Sequence, residues 1–175
     1  VESRLGLPTL GAVPHMRAQG LFGKKKTGKA TLVTDFDPKS TQAESFRVLR
    51  TSLQYSSAGH PPQVILVSSC FPQEGKSTIA ANLAISFSQR GDKVVLVDAD
   101  LKMPTAHRFF DRPRVPGLSD VLAGQRNLAG VIIEDVMPGL AFIPAGPNVP
   151  SPGDLLESRT MLETLAELRG KFDII

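Results

Sequence analysis

Two short stretches hold the residue types that handle phosphate. Gln73-Glu74-Gly75-Lys76-Ser77-Thr78 follows the apolar run QVILVSS (63–69) and leads into IAANLAISF (79–87). A lysine set between a glycine and a hydroxyl residue, where a strand gives way to a helix, suits a phosphate cradle. The first-turn amides of such a helix are unpaired and together carry about half a positive charge. Amides from Gln73 to Thr78 would wrap a β-phosphate, Lys76 would reach the β- and γ-phosphates, and Ser77 would ligand Mg²⁺. The pattern GxxxxGK[ST] is not met in full, because Cys70 stands five residues before Gly75. The reading therefore rests on order: apolar strand, short loop with Pro72, Gly-Lys-Ser-Thr, amphipathic helix. The bland alternative is a strand-to-helix turn with a solvated lysine.

The second stretch is KVVLVDAD (93–100). Asp98 and Asp100 lie two apart at the end of a predicted strand, so their side chains share a face beside Ser77. Two carboxylates there would bind Mg²⁺ through its waters, and one would take a proton from an attacking hydroxyl. An aspartate capping the next turn is the alternative.

The elements that must position these groups alternate. Residues 37–57 open with Asp37-Pro38, carry Thr41 and Glu44 at capping-box spacing, and repeat Phe46, Leu49 and Leu53 at helical intervals. QVILVSS and VVLV read as strands covered on both faces. Between them Ile79, Leu83 and Phe87 stripe a helix with Ala80 and Ala84 beside it, and Gly91 marks its stop. Helical pieces at HRFF and GLSDVLAG lead to a third strand, LAFIPAG. A proline-rich turn feeds helices through LLES and MLETLAELRG, and KFDII begins a fourth strand. Alternation of this kind predicts an α/β fold, a mainly parallel sheet with helices on both faces.

A chain of 175 residues is about one domain's worth. The single cysteine, Cys70, excludes a disulfide framework and a cysteine zinc site and fits a reducing compartment. It flanks the loop, either as a thiol near a helix N-terminus or as structural filler. His15, His60 and His107 show no metal-ligand spacing. No apolar stretch approaches the roughly 18 residues of a membrane span. The net charge of +3 is concentrated in an arm, residues 1–36, where Arg4, Arg17, Lys24, Lys25, Lys26 and Lys29 face Glu2 and, nearer the arm's end, Asp35. This arm reads either as a membrane-proximal segment for anionic headgroups or as a solvated linker. No aromatics interleave the lysines, which argues against nucleic acid.

PQEGKSTIAANLA, VVLVDADLKMP, PGLSDVLAG, IPAGPNVPSPGDLL and AESFRVLRTSL together resemble the cytoplasmic P-loop domain of bacterial tyrosine autokinases, which regulate capsule and exopolysaccharide chain length and export. The resemblance covers nearly the whole chain. It implies a P-loop NTPase fold over residues 37–175, with ATP and Mg²⁺ as cofactors. The Walker A motif falls on Lys76, Ser77 and Thr78 and the second acidic motif, Walker A′, on Asp98 and Asp100, with Asp100 as base. An ExxRxxR helix used in ring-forming subunit contacts matches Glu44, Arg47 and Arg50. Three residues at steps of three also suit a solvated intrahelical ion pair.

The resemblance further implies a ring-forming homo-oligomer at the cytoplasmic face of the bacterial inner membrane, whose partners are a transmembrane chain-length regulator domain, preceding this segment or on a partner chain, and the polysaccharide export machinery, with no nucleic acid. Departures are Gln73 and Lys102, where the family has glycine and arginine, and Ser151 and Asp154, where it has asparagine and glutamate. A side chain at residue 73 strains the loop if its φ is positive. Tyr55 is the only tyrosine, and the sequence stops at KFDII, before the expected Walker B aspartate and tyrosine tail. This reads as a C-terminally truncated domain that binds nucleotide without phosphorylating tyrosine. Two other functions fit the same residues. One is a non-catalytic, nucleotide-sensing assembly module. The other is a partition or septum-placement ATPase, against which stands Ser69-Cys70-Phe71 where such enzymes carry an extra lysine.

Overall fold

The computed structural model describes residues 6, 8–14, 32–35, 37–56 and 61–175. The six basic residues of the expected arm, and His15 and His60, lie outside these.

Helix α1 spans Thr41–Gln54. Its cap is Ser40, whose hydroxyl accepts the Ala43 N–H at 3.3 Å, one residue before the predicted Thr41–Glu44 box. The Asp37 carboxylate fixes the preceding turn by accepting the Lys39 N–H at 2.7 Å. Glu44 is thereby left free to pair along the helix. Phe46 is fully buried, with Leu49 and Leu53 packed beside it, as the periodicity required.

Helix α2 runs Lys76–Ser88 and is followed by β1, Val94–Val97. The predicted amphipathic stripe is corrected here: every residue from Ala81 to Ser88 is buried. The helix lies between the sheet and α1, so its polar side also faces protein. Asn82 and Ser86 find partners there. The Asn82 amide donates to the Thr78 carbonyl at 2.8 Å and its oxygen accepts the Val33 N–H. Gly91 closes the turn after α2 with φ 105°, a conformation that glycine adopts without strain.

Downstream come the short α3 (Leu118–Leu122), β2 (Ile133–Met137), β3 (Leu140–Ile143), α4 (Pro152–Leu156) and α5 (Arg159–Arg169). The sheet has the order β1-β3-β2, with β1 parallel to β3 and β2 antiparallel to it. It is mixed, and β2 was absent from the sequence reading. Its Glu134 and Asp135 are disfavoured in strands, Asp135 has φ 46°, and the register slips between Ile133 and Met137.

Helices do cover both faces. Val94, Leu140 and Phe142 pack toward α1 and α2, while Val95, Ala141 and Ile143 pack toward α3 and α5. Single-residue alternation along buried strands produces this division.

The other two expected strands are corrected. QVILVSS forms no strand: Gln63 and Ile65 exchange backbone hydrogen bonds with Ile175 at 2.7 and 2.8 Å, and Leu66 is 86% exposed. KFDII contributes one parallel bridge, Val94 to Ile174. A ladder needs partners on successive residues, and residues 66–69 have none on the described chain.

Candidate functional site

The loop after residue 69 is shaped by short-range bonds. The Glu74 carboxylate accepts the Phe71 N–H at 3.0 Å, and the Ser69 hydroxyl donates to the Phe71 carbonyl at 3.0 Å. Glu74 is thus an internal brace of the loop. Gly75 caps α2 with φ 92°, and Gln73 has φ 64°. Glycine meets the first demand without cost. Gln73, which carries a Cβ, has its backbone held in the left-handed region, the strain that the sequence made conditional on a positive φ. Beyond Gly75 the α2 axis starts with Lys76, Ser77 and Thr78, whose N–H groups precede the first intrahelical bond, Ile79 N–H to Gly75 carbonyl at 2.9 Å.

Across from the loop, the carboxyl end of β1 carries Asp98 and Asp100. Asp98 is 6% exposed. One carboxylate oxygen accepts the Ala106 N–H at 3.1 Å and the other the Asp100 N–H at 3.3 Å. Burial pushes its carboxyl above the ordinary range, against the pull of those N–H groups. Asp98 therefore does what its bland reading said, capping the following turn, and does so inside the site.

Asp100 differs. Partial burial pushes its carboxyl up, but the Met103 N–H and Lys76 outweigh this and hold it below the ordinary value. The Lys76 ammonium lies 3.0 Å from one Asp100 oxygen, and the Met103 N–H reaches the other at 3.0 Å. The Ser77 hydroxyl completes the cluster through Thr105, whose hydroxyl donates to it at 3.3 Å.

A cleft of about 620 Å³ joins these groups. Lys76, Ser77, Asp98 and Asp100 line its polar end. Its apolar end runs between residues 64–68 and β1, floored by Met161, Leu165 and Leu168 of α5. The chemistry is confined to the polar end.

No group of three or more His, Cys, Asp or Glu suited to a metal occurs among the described residues. A hydroxyl with two carboxylates is nonetheless the oxygen-only donor set that suits Mg²⁺, which keeps waters and shares phosphate oxygens. Those residues fit the ion.

The third group divides. Glu44 and Arg47 pair with each other at 2.6 Å, and Arg47 also donates to the Pro38 carbonyl at 2.8 Å. Arg50 instead crosses to α2, donating to the Ser86 carbonyl and to its hydroxyl at 3.3 Å. Burial, then the nearby Arg90, lowers the pKa of its guanidinium. Tyr55, at the end of α1, is 83% exposed, and Cys70 is exposed rather than packed as filler. Thr105 is the site residue that the sequence reading passed over. It follows Asp98 by seven positions, and only the fold of the intervening turn brings it back to Ser77.

Comparisons with known proteins bear on this geometry. The sequence profile of the CobQ/CobB/MinD/ParA nucleotide binding domain matches residues 73–174. The chain is 36% identical over 139 residues to the tyrosine-protein kinase YwqD of Bacillus subtilis (strain 168), covering 79% of this chain and 59% of that protein. It is 33% identical over 154 residues to the putative tyrosine-protein kinase CapB of Staphylococcus aureus, covering 88% and 68%. Its structure superposes on the BceF tyrosine kinase domain with a TM-score of 0.86 at 31% identity, covering 99% and 71%. The chain thus spans less than two thirds of the Bacillus relative and 24% of several longer ones.

Proposed function

The chain belongs to the CobQ/CobB/MinD/ParA nucleotide-binding domain family, a P-loop NTPase fold, among the P-loop domains of bacterial tyrosine kinases, and from that premise we propose that it catalyses tyrosine autophosphorylation from ATP within the full-length protein. The observation that carries this reading is the convergence of Lys76, Ser77, Asp98 and Asp100 at one end of one cleft. Residues 37–175 are the ATP-binding kinase domain, and residues 1–36 a basic membrane-proximal arm.

Phosphoryl transfer asks little of a protein beyond positioning and charge. The amides of residues 73–78 and the Lys76 ammonium supply positive charge to the phosphates. Lys76 exchanges Asp100 for phosphate oxygens when nucleotide enters, which frees Asp100 to accept the proton of the acceptor hydroxyl. Ser77, Asp98 and Asp100 would hold Mg²⁺, which would supply charge neutralisation at the transferred group. Asp98 fixes the turn that faces Ser77.

No helix among the described residues is long and apolar enough to cross a membrane. The resemblance supports a place at the cytoplasmic face of the bacterial inner membrane, beside a transmembrane chain-length regulator and the exopolysaccharide or capsule export machinery. It also supports a ring-forming homo-oligomer using Glu44, Arg47 and Arg50. Only Glu44 and Arg47 are available on the α1 surface for that contact without releasing a bond to α2.

The test is to incubate the full-length protein with Mg·ATP, map phosphotyrosine by mass spectrometry, and repeat with Lys76→Met. The expected outcome is phosphotyrosine in the unaltered protein and its loss in the variant, with Mg·ADP affinity reduced roughly 10- to 100-fold, the range of a lost charge-assisted bond. Phosphotyrosine that survives Lys76→Met would sink the assignment.

A further inference from the structure

The Ser77 hydroxyl has one hydrogen-bond partner among the described residues, the Thr105 hydroxyl at 3.3 Å. A serine hydroxyl owns one proton and two lone pairs. Once a lone pair is given to a cation, the proton becomes a stronger donor and needs an acceptor on the other side. Thr105 Oγ1 is placed to be that acceptor, since the bond it now donates reverses by rotation of two hydroxyls.

What fixes Thr105 is the buried Asp98. Its carboxylate accepts the Ala106 N–H at 3.1 Å, so the backbone immediately after the threonine is anchored at the end of β1. Pro104 and Ala106, also buried, hold the turn from either side. Thr105 itself is only partly buried. A hydroxyl on an anchored turn, touching a second hydroxyl at the start of α2, is a means of setting one rotamer.

We propose that Thr105 is a positioning residue for the metal: its hydroxyl orients Ser77 so that an Oγ lone pair faces Mg²⁺. This rests on the reading of Ser77 as a Mg²⁺ ligand. It gives Asp98 a second task, holding the Thr105 turn in place.

The experiment uses the full-length protein and Mn²⁺ as a paramagnetic probe. Free Mn²⁺ is followed by electron paramagnetic resonance in the presence of ADP, and ADP affinity is measured separately in EDTA. Thr105→Val should lower Mn²⁺ affinity about 10-fold, the lower end of the effect of removing a group that orients a metal ligand. ADP affinity without metal should stay within about twofold, since no phosphate contact is lost. Thr105→Ser, which restores a hydroxyl, should recover the Mn²⁺ affinity. Ser77→Ala separates the two readings. If Ser77→Ala weakens Mn²⁺ and Thr105→Val does not, the role of Thr105 is overturned and the Ser77 assignment stands. If neither variant changes Mn²⁺ affinity, both fall. Equal loss of ADP and Mn²⁺ binding in Thr105→Val and Thr105→Ser would make the threonine a fold residue and overturn the proposal.

Discussion

The two walls of the site are built on opposite plans. The loop of residues 70–75, exposed through Glu74, carries two positive φ values and is braced by the Glu74 and Ser69 bonds to Phe71. The turn of residues 98–106 is anchored by a buried carboxylate that gathers backbone N–H groups. The contrast assigns a cost to each wall. In the loop the cost is backbone conformation, carried before any ligand arrives. In the turn it is desolvation of Asp98, offset by hydrogen bonds. Lys76 and Asp100 form the ion pair that spans the two.

Asp98→Ala should have the largest effect on this comparison. It strands the N–H groups of Asp100 and Ala106, and a buried donor left without a partner costs about 1–3 kcal/mol. The relief of a desolvated carboxylate places the expected loss toward the lower end. Urea denaturation measures it, and an unchanged midpoint would show that the turn does not depend on Asp98.

Gln73→Gly acts on the other wall and in the opposite direction. Left-handed backbone costs a residue with a Cβ about 1–2 kcal/mol, and the added freedom of glycine in the unfolded chain returns roughly 0.5–1 kcal/mol. The net expectation is a gain in stability of about 0.5–1 kcal/mol. Because the strain exists in the nucleotide-free loop, it cancels from the binding equilibrium. ADP affinity should change less than about twofold, provided bound and free loops share the same φ. Tighter binding by calorimetry would show instead that the loop acquires its positive φ only around nucleotide.

The smallest effect concerns the pair that joins the walls. The Asp100 carboxyl is held below its ordinary value of 3.8. Its contribution to stability is therefore fully present above that value and lost as pH falls through the lower folded one. Asp98 has the reverse sign, since its folded value is raised: its contribution declines as pH rises from 3.8 toward that value. Lys76 and Asp100 are both partly exposed, so the pair is worth at most about 0.5 kcal/mol. Thermal midpoints taken across the acid range should fall slightly more steeply for the unaltered protein than for Asp100→Asn. Parallel curves would remove the ion pair from the account of the site.

Much of the architecture was legible in the chain. VVLV and LAFI declared buried strands because both of their faces are covered, which leaves no room for polar residues. Gly75-Lys76-Ser77 declared a helix start, because a helix start has unpaired amides whatever surrounds it. Local rules failed where partners decide. QVILVSS has the composition of a strand, yet a strand exists only with a neighbour, and its neighbour on the described chain is Ile175 alone. β2 was missed for the converse reason, because pairing with β3 overrides the poor propensity of Glu134 and Asp135.

For the candidate site, sequence by itself named the lysine, the hydroxyl and the two carboxylates that the fold brings to one end of the cleft, and the strain that a positive φ at Gln73 would carry. Those follow from side-chain chemistry and from backbone sterics that act within a few residues. Tertiary structure decided how they are used. That Asp98 turns inward to hold Ala106, that Asp100 meets Lys76, and that Arg50 leaves Glu44 and Arg47 for α2 each depend on residues between eight and 36 positions apart, brought together by elements meeting across the core. Such contacts are set by packing, and the packing of a helix between a sheet and another helix is not written in either one alone.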